Sequence, residues 1–441
     1  MGAGKIILEG TIKLLSPALI GSGRDNLSDC DIVIDSEGRP LIPATSFIGV
    51  LRHGIIPPGL SQDQLKQFWG FSDRDKGQQS RILCSDLLCR TEKPMVSIRD
   101  GIKIDRATGV VEKKNGKGKK YDYQIVEKGN EFVLKMEIDF TNEGQDFTRQ
   151  MACTICAVLK SGNMRIGAKT NSGLGKIVLK EEKIHEYDFK EKKDVLAWLR
   201  HSDGRSLEDI SPFAFKEDEF RIDATLRLRS AFIIRSYSEN PFDPDVFSMK
   251  SGSDFVITGA SLRGALRSRA ERILKTIGKP ETIVHNLFGM VDEANPGNPA
   301  KKGRILVEEA LLAGCEPELQ NRVKIDRFTG GVMSGALFDS MPLFRKENDT
   351  ATVCITVKDY RDHEHEAGLL LLLLKDLWTG DLAVGGEKNI GRGVFDGVGA
   401  KISWRGKTVS IDHEMKGLTD DIRKSLQAFV DSLNTYSGGG N

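Results

Sequence analysis

The chain lacks a long apolar run, a secretory leader, a cysteine framework and a dominant sign of charge. Its leucine-rich stretch, Leu369 to Leu374, is followed at once by Lys375 and Asp376 and falls far short of the ~18 apolar residues of a membrane span. No membrane partner is expected. The N-terminus shows no charged-then-apolar leader, so a cytoplasmic protein is the expectation. Seven cysteines, an odd number without framework spacing, suit a reducing compartment. Lys and Arg total 64 against 63 Asp and Glu, so the net charge is +1 and does not by itself mark a nucleic-acid binder. A hydrophobic fraction of 39% and a mean hydropathy of −0.30 describe a globular chain. Its 441 residues leave room for two domains of ordinary size, each with its own core.

What is present is one unit, twice. Gly167-Ala-Lys169-Thr-Asn171-Ser-Gly173-Leu-Gly175 returns as Gly385-Gly-Glu-Lys388-Asn389-Ile-Gly391-Arg392-Gly393. Ile42-Pro-Ala-Thr-Ser46-Phe-Ile-Gly49-Val-Leu-Arg52 returns as Ile257-Thr-Gly-Ala-Ser261-Leu-Arg263-Gly264-Ala-Leu-Arg267. Ser80-Arg-Ile-Leu83 matches Gly303-Arg-Ile-Leu306, and Lys103-Ile-Asp-Arg-Ala-Thr-Gly109 matches Lys324-Ile-Asp-Arg-Phe-Thr-Gly330. The offsets are 218, 215, 223 and 221 residues, in the same order along the chain. Such a period is far longer than a solenoid repeat and means a duplicated domain. The expected organisation is a first domain over 1–190, a charged linker over 191–218, a second domain over 219–436 and a disordered tail over 437–441.

Each copy predicts the same elements. An alternating strand opens it (Ile6, Leu8, Ile12, Leu14; Phe220, Ile222, Ala224, Leu226, Leu228). A helix begins near Ser46 or Ser261, where serine is a candidate cap. A loop-rich middle leads to a second alternating strand (Phe132 to Phe140; Ala351 to Val357), a second helix (Thr148 to Lys160; Glu366 to Trp378), the glycine loop and a last strand. This order predicts an α+β fold of two tandem ferredoxin-like, RRM-like domains of the split β-α-β type. Antiparallel strands with helices on one face leave the other face for a ligand.

The glycine loops are not nucleotide loops. A Walker alignment puts Thr170 where the first glycine belongs and Ile177 where a hydroxyl should be, and the second copy has no lysine after Gly393. Asn26 replaces the third glycine of a dinucleotide fingerprint after Gly21 and Gly23. Clustered glycines still permit positive φ and bring backbone N–H groups close to an anion, and their retention in both copies favours a sugar–phosphate chain over a mere tight turn. Two basic stretches add to this. One is Lys113 to Lys120; the other is a helix face with Arg263, Arg267, Arg269, Arg272 and Lys275, offset only by Glu271.

Taken together, the glycine loops, the serine–arginine helix starts and the Ile-Asp-Arg-x-Thr-Gly middles resemble the repeat-associated mysterious protein (RAMP) superfamily. Within it they are most similar to backbone subunits of type III CRISPR effector complexes, and the tandem fusion resembles the type III-D arrangement. The resemblance implies a cytoplasmic, prokaryotic ribonucleoprotein. Its partners would be a CRISPR guide RNA, the target RNA, other RAMP backbone subunits and the large signalling subunit. Guide contacts would map to Ser46, Arg52, Gly167, Lys169, Asn171, Gly173 and Gly175 in copy one. In copy two they would map to Ser261, Arg263, Arg267, Gly385, Lys388, Gly391, Arg392 and Gly393. A β-hairpin thumb inserted in each unit would wedge into the guide–target duplex. Tyr121 and Tyr123 are the candidates in copy one, and Met333, Leu337 and Phe338 in copy two.

The resemblance further implies metal-dependent cutting of target RNA at regular intervals, with Mg²⁺ or Mn²⁺ and the target's own 2′-hydroxyl as nucleophile. The family's aspartate precedes a short apolar strand ending in a second acid. Anchoring on Asp35 selects Asp29, with Asp31 as alternate; the second copy gives Asp245, with Asp243 as alternate. Asp29 or Asp245 would hold the metal or accept the 2′-hydroxyl proton, and these roles stay open. Arg24, Arg235 and Lys250 are candidate flanking cations. Two other readings stand beside this one: a non-catalytic RNA-binding scaffold, and a metal-independent guide-processing nuclease resting on His53, whose counterpart is Ser268. Asp362 to Glu366 reads as a solvated helix start rather than a metal site, since the first copy has no histidine there. Cys153 and Cys156 read as core.

Overall fold

The computed structural model describes residues 3–23, 28–73, 76–105, 108–114, 117–118, 120–207, 209–215, 218–237, 240, 242–290, 300–414 and 418–438. Most of the expected tail, 439–441, lies outside the described residues. The chain is mixed α+β and forms two compact units. The first comprises residues 1–99, 122–170 and 174–216; the second comprises 100–121, 171–173 and 217–441.

In the first unit the alternating opening residues form the strand Gly4–Leu14, with Ile6, Leu8, Ile12 and Leu14 all buried. It lies between Ile177–Asp188 and Glu131–Phe140, antiparallel to both, and Ile82–Cys84 pairs on the far side of Glu131–Phe140. Numbered along the chain, these strands stand in the order four-one-three-two, with Arg205–Ser206 outside the fourth. Helices Ala44–Gly54 and Gln145–Lys160 contribute Phe47, Leu51, Met151, Ile155 and Leu159 to the same core as the central strands.

The second unit repeats the order with Phe395–Trp404, Glu219–Leu228, Leu343–Lys358 and Ile305–Val307. Its opening strand buries Phe220, Ile222, Ala224, Leu226 and Leu228, one side chain in two. It also has elements that the repeat pattern does not announce. Lys407–Asp412 extends the sheet, and the helix Asp420–Thr435 sends Phe429 and Leu433 into the core shared with Leu369 and Leu373 of Glu364–Trp378. The charged segment 191–218 holds a helix, Lys192–Leu199, and the strand Arg205–Ser206, which pairs with Ile177–Asp188.

Serine does not cap the first helix of either unit. Pro43 occupies the first cap with φ −59°, so the helix starts ahead of Ser46, and Asp86 Oδ1 accepts the Ala44 N–H at 2.7 Å. In the second unit Thr258 is the cap, accepting the Ser261 N–H through its hydroxyl at 3.3 Å. All seven cysteines are free thiols. Cys153 and Cys156 are buried in the core, and burial pushes the Cys156 thiol up to about 11. Among the described residues no helix is long and apolar enough to cross a membrane.

Candidate nucleic-acid interface

The two glycine loops are built alike. Each is closed by one backbone bond, Ile166 N–H to Gly175 O and Val384 N–H to Gly393 O, both 2.8 Å. Each is anchored to the loop after the opening strand, through Gly175 N–H to Pro17 O at 2.7 Å and Gly393 N–H to Ala231 O at 2.8 Å. Gly167, Gly173, Gly175, Gly385, Gly391 and Gly393 all have positive φ. At Gly175 and Gly393 the need is steric as well: a Cβ would lie 1.9 Å from Ile166 O and 1.8 Å from Val384 O. These two glycines make the turn. Gly391 differs, since nothing lies within 4 Å of its Cβ position, so its face is open.

The loop side chains are partly engaged. Lys169 Nζ sits over the Tyr123 ring, 4.3 Å from its centroid. Asn171 Nδ2 donates to Gly303 O at 2.6 Å within the second unit, so its amide is committed. Lys388 and Asn389 are exposed. Arg392 is buried, and burial holds its guanidinium below the usual arginine range. Its partner is the loop's own Glu387, whose carboxylate draws three guanidiniums: Arg392 at 2.5 Å, Arg322 at 2.8 Å and Arg235 at 3.1 Å. Three cations against one anion leave a positive centre beside the second glycine loop, with Arg235 half exposed toward solvent.

The Ile-Asp-Arg-x-Thr-Gly motif is a hairpin tip. Asp326 Oδ1 accepts the N–H groups of Phe328 (2.7 Å) and Thr329 (3.0 Å), while Asp326 and Gly331 close the turn at 2.9 Å. These amides hold the Asp326 carboxyl below the usual aspartate range. Asp105 repeats the construction with the Thr108 N–H and hydroxyl, both at 2.8 Å. Behind the second tip, Gln320–Ile325 and Val332–Met341 pair antiparallel. Phe328, Met333, Leu337 and Phe338 are exposed there, and Arg322 lies over the Phe338 ring. In the first copy Tyr121 is partly exposed, but Tyr123 is buried with Leu19, Ile125 and Leu174 and is not available to stack on a base. Tyr121 and Tyr123 lie two positions apart but differ in exposure because Tyr123 falls where the strand Lys120–Val126 joins the core.

Asp29 and Asp245 are both exposed, and each is held by a matched clasp. The Asp29 N–H donates to Asp122 Oδ1 at 2.8 Å, and the Asp122 N–H donates back to Asp29 Oδ2 at 3.4 Å. The Asp245 N–H donates to Asp339 Oδ1 at 2.7 Å, and the Asp339 N–H returns to Asp245 Oδ2 at 3.1 Å. The partners lie 93 and 94 residues downstream, on strands Lys120–Val126 and Val332–Met341. Asp31 does not point with Asp29. Residues 28–30 bend rather than extend, so Asp31 is buried and its carboxylate accepts from the Ser28 hydroxyl. Asp243 is exposed in a turn, with its N–H on Asn240 O at 3.1 Å.

In the second unit one four-stranded sheet gathers these parts. Its order is Arg235–Ser236, Val246–Ser248, Val332–Met341 and Gln320–Ile325. Arg235 faces Ser248 across the first pair, and Val246 faces Ser340 across a parallel pair, which sets Asp245 beside Asp339. Arg322 stands opposite Phe338. A positive centre, a clasped aspartate and an apolar hairpin thus share one small sheet.

The RAMP superfamily matches over two stretches, residues 11–178 and 225–396. The chain belongs to the RAMP superfamily. Each matched stretch covers one of the two copies, and the family points to a CRISPR-associated RNA-binding subunit. No curated protein matches the chain.

Several RAMP residues expected at the RNA are tied into the protein. Arg267 pairs with Glu271 at 3.2 Å and donates to Gly289 O at 3.0 Å. Arg269 pairs with Asp376 at 2.6 Å, and Arg263 donates to Phe288 O. One further acid, Asp376, reaches this helix from elsewhere in the chain, while Arg272 and Lys275 are exposed on it. Ser46 and Arg52 are exposed on their helix, as is His53. Lys250 covers the Phe255 ring at 4.7 Å. Arg24 lies outside the described residues, as do 115–116 and 119 of the basic stretch. Asp122, Asp339 and Arg322 escaped the sequence reading. A signal for the aspartates was there: Tyr121-Asp122 and Phe338-Asp339 are an aromatic–aspartate pair at the repeat's own offset.

Proposed function

We propose that this RAMP protein is a double backbone subunit of a type III, III-D-like CRISPR ribonucleoprotein that binds guide RNA and cuts complementary target RNA once per repeat. The observation that carries this reading is the clasp found twice, Asp29 with Asp122 and Asp245 with Asp339. An acid that is merely solvated has no reason to be fixed through backbone amides at the same place in both copies. The four-one-three-two strand order supports a ferredoxin-like core in each unit. Exposed Met333, Leu337 and Phe338 support a thumb that fills the gap left by a splayed base pair.

The guide's sugar–phosphate chain would run by the glycine loops, where Arg235 and Arg322 offer positive charge and Gly391 an open backbone. Contacts of this kind position a strand without reading its bases. RNA carries its own nucleophile, so the protein's task is alignment. The 2′-oxygen bonds to phosphorus as the bond from phosphorus to the 5′-oxygen breaks. The 2′-proton leaves, the 5′-oxygen takes up a proton, and the ends are a 2′,3′-cyclic phosphate and a 5′-hydroxyl. Exposed carboxylates suit a hard cation such as Mg²⁺ or Mn²⁺, and Asp29 and Asp245 are the residues that would hold one. Among the described residues neither clasp is joined by a third ligand into a cluster, so water and phosphate would complete the shell. When bound, the cation supplies charge neutralisation at the phosphate.

The test is the guide-loaded complex with a labelled complementary RNA. Two cuts are expected with Mg²⁺, each leaving a 2′,3′-cyclic end, and none in EDTA. Undiminished cutting in EDTA would contradict metal dependence, and a complex that binds without cutting would be the scaffold.

A further inference from the structure

The start of the helix Glu364–Trp378 is not the solvated surface its sequence suggests. His365 and Glu366 are both more than nine-tenths buried, and His363, which precedes the helix, is partly open to water. The nearest ligand atoms of these three side chains lie within 4.8 Å of one another. The His365 ring is fixed by stacking on Tyr436, with centroids 4.0 Å apart and planes at 18°, and stands 5.9 Å from the His363 ring. Its Nε2 has no hydrogen-bond partner among the described residues. An orphaned ring nitrogen in the interior is costly unless something occupies it.

Arg304 explains part of this cluster and not the rest. Its guanidinium forms an ion pair with Glu366 Oε1, though that oxygen too has no hydrogen bond among the described residues. It leaves Glu366 Oε2 and His365 Nε2 without a hydrogen-bond partner among the described residues. The first unit solves the same place differently. There the counterparts of Arg304 and Glu366 in the matched segments are Arg81 and Thr148, the Arg81 guanidinium donates to the Thr148 hydroxyl at 3.4 Å, and no histidine is present. Where the first unit has a neutral hydroxyl, the second has a buried carboxylate.

We propose that His363, His365 and Glu366 form a zinc site. Two imidazole nitrogens and one carboxylate are a donor set zinc accepts, at about 2.0–2.2 Å from each. Donors already within 4.8 Å of one another close on such an ion by small side-chain rotations. Arg304 stays on Oε1 and orients the carboxylate, as outer partners of metal ligands do. The fourth position faces the open side of His363, where water completes a tetrahedron. The site ties the helix start to Tyr436 through His365, and so joins Glu364–Trp378 to the end of Asp420–Thr435. It is independent of the aspartate clasps and of any RNA chemistry.

The experiment uses the full chain stripped by a chelator and then titrated with ZnCl₂ against a chromophoric competitor, with CoCl₂ in parallel. One tight equivalent is expected, with visible cobalt bands of tetrahedral strength and a rise in Tm on adding zinc. His363→Ala, at a partly exposed position that the fold tolerates, should lose the Tm rise and weaken binding on the order of a hundredfold. His365→Gln should weaken it similarly, whereas Asp29→Ala with Asp245→Ala should leave it intact. No tight equivalent in the wild type, or the same affinity and Tm rise in His363→Ala, overturns the proposal.

Discussion

Replacing Asp339 with alanine removes the acceptor that holds the Asp245 N–H at 2.7 Å, while the return bond from the Asp339 N–H to Asp245 Oδ2 at 3.1 Å keeps its donor. Half the clasp is lost. Asp245 faces solvent and Asp339 is only partly covered, so the net cost to folding sits at the low end of about 0.5–1.5 kcal/mol, and Tm should fall by about 2 °C or less. Cutting should suffer more, because the loop carrying Asp245 no longer has a fixed backbone. A loss of ~1.4 kcal/mol in alignment is a factor of ten in rate. The expected result is about a tenfold slower second-copy cut, with first-copy cutting and target affinity unchanged. Asp339→Asn keeps an oxygen acceptor and should restore most of the rate. The assay is single-turnover cleavage of end-labelled RNA by the guide-loaded complex, each cut quantified separately. If Asp339→Asn is as slow as Asp339→Ala, the carboxylate acts by its charge and the positioning argument fails. If neither variant slows the cut, the clasp does not position Asp245 at all.

Arg235→Ala or Arg322→Ala should weaken guide binding equally for unrelated guide sequences and lower the slope of log affinity against log salt by about 1, read by filter binding across a salt series. Gly393→Ala should destabilise the fold on the order of 3 kcal/mol, because φ is +73° and its Cβ would meet Val384 O. Gly391→Ala, with open space around it, should cost only about 1–2 kcal/mol, and denaturant unfolding separates the two. Asp326 has a folded pKa depressed below its ordinary 3.8 by the Thr329 and Phe328 amides. Its contribution to the hairpin tip should therefore be present above that value and lost as pH falls through the depressed one, seen as faster amide exchange at the tip.

The regular elements are legible because they repeat a local rule. Alternation from Phe220 to Leu228 marks its strand, and the helical spacing of Met151, Ile155 and Leu159 marks the buried face of theirs. What escapes depends on partners far away in the chain. Asp376 reaches Arg269 across 107 residues, and Asp339 reaches Asp245 across 94. No periodicity announces such pairs. Asp86 caps a helix that begins 42 residues earlier, so from the sequence alone Ser46 reads as the better cap. Tyr123 reads as a thumb residue because it follows the basic stretch that ends at Lys120, yet it lies where a hairpin strand enters the core. The glycine loops are found by repetition, but two of their glycines serve close backbone packing, and the charge at the second loop comes from Arg235 and Arg322 on other strands.

One aspartate-dependent cut per repeat is checked by cleavage mapping with Asp29→Ala, Asp245→Ala and the double variant. Each single variant should lose one cut and keep the other, and the double variant should bind target RNA and leave it whole, since a carboxylate adds little affinity for phosphate. Loss of both cuts from one substitution would mean a single shared site, and a double variant that still cuts would place the chemistry outside Asp29 and Asp245.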